Sequence, residues 1–141
     1  IGDSRCYRLR GGDFQQITKD HSLLQEQIDA GLITPEQALT SVNKNLVTRA
    51  LGVEDSVLLD VTEHRVEVGD IYLMCSDGLS DMVRDEPIAD IMLGNSALEQ
   101  KATQLIAAAN AGGGRDNISV VLTHAKEATV KRGFLSRMLG K

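Results

Sequence analysis

Apolar and polar positions alternate in two short runs along CYRLRGGDFQQIT, a pattern that predicts a β-hairpin. Gly11, Gly12 and Asp13 lie between the runs and suit a turn that needs positive φ. In HSLLQEQIDAG the spacing turns helical. Ser22 with Gln25 matches a capping box, and Gly31 supplies a stop. Thr34, Pro35 and Gln37 repeat the start signal for a second short helix. From Leu39 to Ser56 the periodicity is weak and predicts an ordered loop, with strand-like character in NLVTRAL. VLLDVTEHRVEVGDIYLMCS predicts two strands that turn at Val68, Gly69 and Asp70. In the first, Val57, Leu59, Val61 and Glu63 alternate with Leu58, Asp60 and Thr62. The second, IYLMC, is continuously apolar and predicts a central strand covered on both faces. DEPIADIML is a short helix with Asp85 and Glu86 at its amide end. Ser96 and Glu99 form another capping-box pattern. It opens a longer helix with a stripe of Leu98, Ala102, Leu105, Ile106 and Ala109, closed by AGGG. NISVVLTHA is a last strand with Ile118, Val120 and Leu122 on one face.

Strand links too short for a helical crossover make the pairings antiparallel, so the fold class is α+β, with antiparallel sheet packed against helices. At 141 residues and 42% hydrophobic, the chain has the size and composition of one globular domain. Aromatic residues make up 3% and Trp is absent, so the core is aliphatic. That scarcity, with a formal charge of −5, argues against nucleic-acid binding by stacking or phosphate contacts. Cys6 and Cys75 have no metal-type spacing and read as buried thiols of a reducing, cytoplasmic compartment. No apolar run is long enough to span a membrane. The opening IGDSRCYRLR has neither an initiator Met nor an apolar leader, and it begins within a strand-like pattern, as in a chain cut from a longer one.

Three acids share one local context. Asp3 in IGDSR, Asp77 in CSDGLSD and Asp116 in GGGRDNISVV each lie where an apolar strand meets a Gly-containing turn. Carboxylates at sheet ends can converge, and a divalent cation relieves their repulsion. Oxygen-only ligation points to Mn2+ or Mg2+ rather than zinc. Gly112 to Gly114 would let backbone pass close to a metal or ligand. The plainer reading of an Asp-Gly pair is a turn. GGGR precedes a strand and lacks the Lys and Ser/Thr of a phosphate loop. Arg5 could meet a phosphate or pair with a neighbouring acid. His21, His64 and His124 are scattered and read as structural or surface residues. Ser4, Ser76 and Ser80 have no partnered base, which disfavours a serine nucleophile.

Taken in order, IGDSRCYRLR, ITKDHSLLQEQIDAG, NLVTRALG, YLMCSDGLSDMV and GGRDNISVVL resemble the PP2C-type (PPM) protein phosphatases of the bacterial serine/threonine kind, from Ile1 to about His124. The resemblance implies an αββα sandwich of two antiparallel sheets, with Mn2+ or Mg2+ at one end activating the water that attacks a phosphoserine or phosphothreonine. It implies that Asp77 and Asp116 are ligands of the second metal of the central pair. Asp3 would help hold a third, weaker metal shared with Asp77, and Asp81 falls near that third site. Asn117 would fix the loop. Residues 21–52 are similar to the family's flap, although LTSVNK stands where many bacterial relatives carry a His-Pro sequence.

The family's early Arg, its GD strand and its DGMGG-like motif, which serve the first metal, the bridging acid and the phosphate, do not occur in the chain. Residues 1–125 therefore resemble the C-terminal part of a catalytic domain, and 126–141 form a basic tail. In the tail Phe134, Leu135, Met138 and Leu139 could share one helical face, facing a membrane surface or partner, or form a solvated end. The implied partners are phosphorylated proteins and a cognate serine/threonine kinase. Half a sandwich would expose apolar residues and favour self-association. The alternative is a non-catalytic relative that binds phosphoproteins.

Overall fold

A computed structural model describes residues 1–41, 46–53 and 55–127. The element order is β1 (Arg5–Arg10), β2 (Asp13–Gln16), α1 (Leu23–Asp29), α2 (Pro35–Leu39), β3 (Ile71–Cys75), α3 (Asp77–Ser80), α4 (Asp85–Leu93), α5 (Leu98–Ala111) and β4 (Val120–His124). The strands form one antiparallel sheet in the order β2-β1-β3-β4. The expected hairpin is present. Arg10 pairs with Asp13 across a two-residue turn in which Gly11 and Gly12 have φ of 57° and 91°. Those angles are strained for any residue with a Cβ and match the right-handed twist of the flanking strands.

Alternation along the strands sorts the sheet into two faces. Tyr7, Leu9, Leu73 and Cys75 are buried on one face, with Ile71, Val120 and Leu122 packed around them. Helices α3 to α5 close over this face with Leu79, Val83, Ile88, Met92, Leu105 and Ala109. Tyr7 and Phe14 stack within it, ring centroids 5.0 Å apart. Burial pushes the Cys75 thiol up to about 11, an unreactive environment. Lys101, 3% exposed, lies inside the helical layer and donates from Nζ to the carbonyls of Ile91, Met92 and Gly94. One ammonium thus satisfies carbonyls that the end of α4 leaves without helical partners.

The structure corrects several sequence expectations. The strand predicted from Val57 onward is absent: residues 57–67 carry no strand pairing. The side chains on both sides of its alternation are exposed, as at Leu58, Leu59 and Val61, so no face selects a register. β3 is central but not covered on both faces, because Met74 is 43% exposed. NLVTRAL contributes one isolated bridge, Val47 to Ser22. Ser22 does cap α1, accepting from the Gln25 N–H, but Gln25 turns its side chain to Asp29 instead of completing the box. The complete box is at α2, where Thr34 and Gln37 exchange both bonds. α5 starts one residue later than Ser96 predicts. Ala97 is its cap, and Gln100, not Glu99, reaches back to the Ala97 N–H. CSDGLSD is more than a turn, since Asp77–Ser80 form a short helix. The 42–44 part of LTSVNK, Asn45 of NLVTRAL and the tail from residue 128, with its apolar side chains, lie outside the described residues.

Residues 65–70 are tied to the sheet by charge. Arg10 donates from Nε and Nη2 to both Asp70 oxygens at 2.7 Å, and from Nη1 to Glu67 at 2.8 Å. Asp70, 1% exposed, also accepts from the Glu67 N–H and the Tyr72 hydroxyl. The Arg10 bonds, aided by those from Glu67 and Tyr72, hold its carboxyl far below the ordinary value of 3.8. A depressed carboxyl contributes stability that is complete above pH about 5 and is lost as pH falls further. Urea unfolding should therefore show the wild-type midpoint dropping between pH about 5 and about 2, with Asp70→Asn less stable at neutral pH and flatter across that window. Parallel pH curves for the two proteins would contradict this role.

Candidate metal centre

Strand register places the candidate acids. Arg5 pairs with Cys75, and Cys75 with Val120, so the start of β1, the end of β3 and the start of β4 lie side by side. Asp3 stands two residues before that row on β1, Asp77 two residues after it on β3, and Asp116 four residues before it on β4. All three leave the sheet at the same end. The β3 exit is stitched to the β4 entry. The Ser76 N–H donates to the Ser119 carbonyl at 3.1 Å, the Ser76 hydroxyl donates to the Asn117 carbonyl at 3.0 Å, and the Ser119 N–H donates to Ser76 Oγ.

Gly78 makes this stitch close. A Cβ there would lie 2.3 Å from the Asn117 carbonyl oxygen, so residue 78 has no room for a side chain. Gly112 is similarly placed, 2.7 Å from the Met82 carbonyl oxygen. These glycines therefore bring backbone against backbone, rather than clearing room for a ligand.

Asp77 is half-buried, and its Oδ1 accepts from the Gly78 N–H at 2.8 Å. Asp116 is exposed, and its Oδ1 accepts from the Asn117 N–H at 2.6 Å. Asp81 is exposed at the end of α3. Asp3 is half-buried. Burial pushes its carboxyl above the usual range; the charges of Asp77 and Asp20 push the same way, against its own backbone N–H and Arg5. Asp3 therefore feels the Asp77 charge, a repulsion that a cation would relieve. In chemistry the set fits a hard divalent ion, being all carboxylate oxygen. In number it does not close: among the described residues, no three His, Cys, Asp or Glu side chains form a group able to hold a metal ion.

Two neighbours were not singled out as site residues from the sequence. Asp20 takes Arg5 as a fork, with Nε at 3.0 Å and Nη2 at 2.7 Å from Oδ2, while Gln16 donates to its other oxygen. Arg5 also donates to the Tyr7 hydroxyl, which donates in turn to Asp85. Burial works most strongly against the Arg5 charge, but the Asp20 carboxylate and the Tyr7 hydroxyl together outweigh it and raise its pKa. Arg5 thus takes the pairing role, with its guanidinium committed to an acid. His21, 7% exposed, is placed against Gly2 and Asp60. The adjacency of Asp20 and His21 just after the hairpin was the available signal. Nothing in the sequence showed that both would reach back to the strand start.

The chain is 40% identical over 127 residues to protein phosphatase PhpP of Streptococcus pneumoniae, covering 90% of the chain and 52% of that relative. The crystal structure of the Mycobacterium tuberculosis serine/threonine phosphatase PstP/Ppp superposes with a TM-score of 0.85 at 43% identity, over 89% of the chain and 53% of that structure. The chain closely matches bacterial PP2C-type serine/threonine phosphatase catalytic domains. A PstP catalytic domain solved in complex with two manganese ions matches at 44% identity and a TM-score of 0.74, over 90% of the chain and 52% of that structure. No family model matches the chain. It spans about half the length of the curated relatives it matches. The mixed fold, with a four-stranded antiparallel sheet flanked by helices, is consistent with the PP2C-type αββα sandwich.

Gly78→Ala should lower stability by about 1–3 kcal/mol, because the new methyl meets backbone and the β3–β4 stitch must open. Urea unfolding checks this. A loss below about 0.5 kcal/mol would mean that the stitch yields without cost.

Proposed function

We propose that the protein to which this chain belongs is a metal-dependent phosphatase of phosphoserine and phosphothreonine in proteins, and that these residues form the C-terminal portion of its catalytic domain. The observation carrying this reading is the match to PstP/Ppp over 89% of the chain, together with the acids at one end of the sheet. Asp77 and Asp116 would hold a divalent cation, with Asp3 and Asp81 beside them. When bound, Mn2+ or Mg2+ would supply Lewis acidity and an activated water for attack on phosphorus. The chain's own residues then have positional work. β3 delivers Asp77 at the end of a buried strand, and Ser76 holds that exit against residues 117–119. Asp20 commits the Arg5 guanidinium to an ion pair at the entry to β1. Phosphorylated proteins are the proposed substrates, a serine/threonine kinase is the proposed counterpart, and the cytoplasm is the proposed location. Among the described residues, no helix is long and apolar enough to cross a membrane.

The absence of a closed metal group among the described residues favours a second statement: the 141-residue chain alone is inactive. It also supports the rival reading, a non-catalytic phosphoprotein-binding module.

With Mn2+ and a phosphothreonine peptide, the chain alone should release phosphate at the background rate. Turnover matching a full-length relative would overturn that statement. In the longer polypeptide, Asp77→Asn or Asp116→Asn should lower kcat/KM at least about a hundredfold, since even residues behind the ligands of metal sites contribute 10–100-fold. A longer polypeptide that binds phosphopeptide without turnover would establish the rival reading instead.

A further inference from the structure

His21 holds the residue before Asp3 from two sides. Its backbone N–H donates to the Gly2 carbonyl at 2.9 Å, and the Gly2 N–H donates to the ring Nδ1 at 3.2 Å. Because Nδ1 accepts, the ring proton sits on Nε2, which meets Asp60 Oδ2 at 2.8 Å. Arg49 braces the other Asp60 oxygen at 3.1 Å. The His21 carbonyl accepts the Thr48 N–H at 2.8 Å, and Ser22 bridges Val47. On the far side of Asp3, Arg5 is forked by Asp20. Asp3 therefore sits between two anchored positions, and both anchors come from one dipeptide. Gly2, at φ 89°, has a conformation a larger residue would resist, so the anchored turn is sharply defined.

We propose that His21 is a positioning residue: its Nδ1 fixes the turn that presents Asp3 to the cation, and its ring is oriented for this by Asp60. The proposal rests on the reading of Asp3 and Asp77 as metal-binding acids. The same histidine accepts the Thr48 N–H and its neighbour Ser22 bridges Val47, so the loop and the acid share one support.

The test uses the longer polypeptide proposed above and Mn2+ alone, following paramagnetic broadening of the Asp3, Asp77 and Gly78 amides by NMR. Ring nitrogen shifts report the tautomer. His21→Asn can place an amide oxygen near the Nδ1 position, whereas His21→Gln reaches towards Asp60 and leaves Gly2 without its acceptor. Wild type should show the Nε2–H tautomer. His21→Ala and His21→Gln should need about tenfold more Mn2+ for equal broadening at Asp3, and His21→Asn should recover most of that loss. If His21→Ala does not fold, the Asn and Gln variants decide by the same comparison. Equal Mn2+ response in wild type and the Gln variant, or no difference between Asn and Gln, overturns the proposal while leaving the metal reading intact. A wild-type longer polypeptide whose Asp3 and Asp77 amides ignore Mn2+, as Asp77→Asn would, overturns the metal reading and the proposal with it.

Discussion

The pairing of β1 with β3, Arg5 opposite Cys75, is the constraint on which the rest depends. Sixty-odd residues separate these strands in the chain, and their register decides which side chains share an end of the sheet. A slip of one residue would turn one strand over relative to the other, trading Tyr7 and Leu9 for Cys6 and Arg8, or Leu73 and Cys75 for Met74, in the core. The burial of the first set against Leu79, Ile88 and Leu105 therefore fixes the register. The register, in turn, places Asp77 close enough for its charge to help raise the Asp3 carboxyl. The metal chemistry proposed for the end of the sheet is thus a consequence of packing in its middle.

Two polar forks secure the connections that packing cannot. Arg5 with Asp20 anchors the β1 entry, and Arg10 with Asp70 anchors the turn before β3. Both use the planar guanidinium against two carboxylate oxygens, the geometry in which a partly buried ion pair makes up for its lost hydration. Their surroundings are satisfied as well: Gln16 completes Asp20, and Tyr72 with the Glu67 N–H completes Asp70. A half-satisfied fork would cost more than an apolar replacement. This explains why sequence-distant residues converge on each acid.

Elements that depend on local signals were legible in the sequence. The Gly11-Gly12 turn, the Pro35 helix start and the AGGG stop are written in residues adjacent to the feature they specify. So was the inward face of Ile118, Val120 and Leu122. The acids were legible as residue types at strand ends, and the structure brings the strand ends that carry Asp3, Asp77 and Asp116 into one row. What was not legible required knowledge of what lies opposite. Residues 57–67 alternate as a strand does, but pairing needs a neighbour, and none is present among the described residues. Met74 belongs to a continuous apolar run, yet its exposure depends on a second layer. His21 looked like an isolated histidine until the hairpin folded Gly2 against it.

These misses share a cause that bears on the whole domain. One face of the sheet is covered by helices, while Met74 and Val121 on the other stand 43% and 56% exposed. The unpaired 57–67 segment adds Leu58, Leu59, Val61 and Val66 to the apolar surface. Apolar surface of this extent is uncommon on a self-sufficient monomer and common where another layer packs. A four-layer sandwich needs a second sheet on the face opposite the helices, and the chain spans about half the length of its relatives. An incomplete carboxylate set at the sheet end and an uncovered sheet face are then one condition. On the proposed reading, the layer that would bury Met74 would also supply the oxygen ligands that Asp77 and Asp116 need for a closed site.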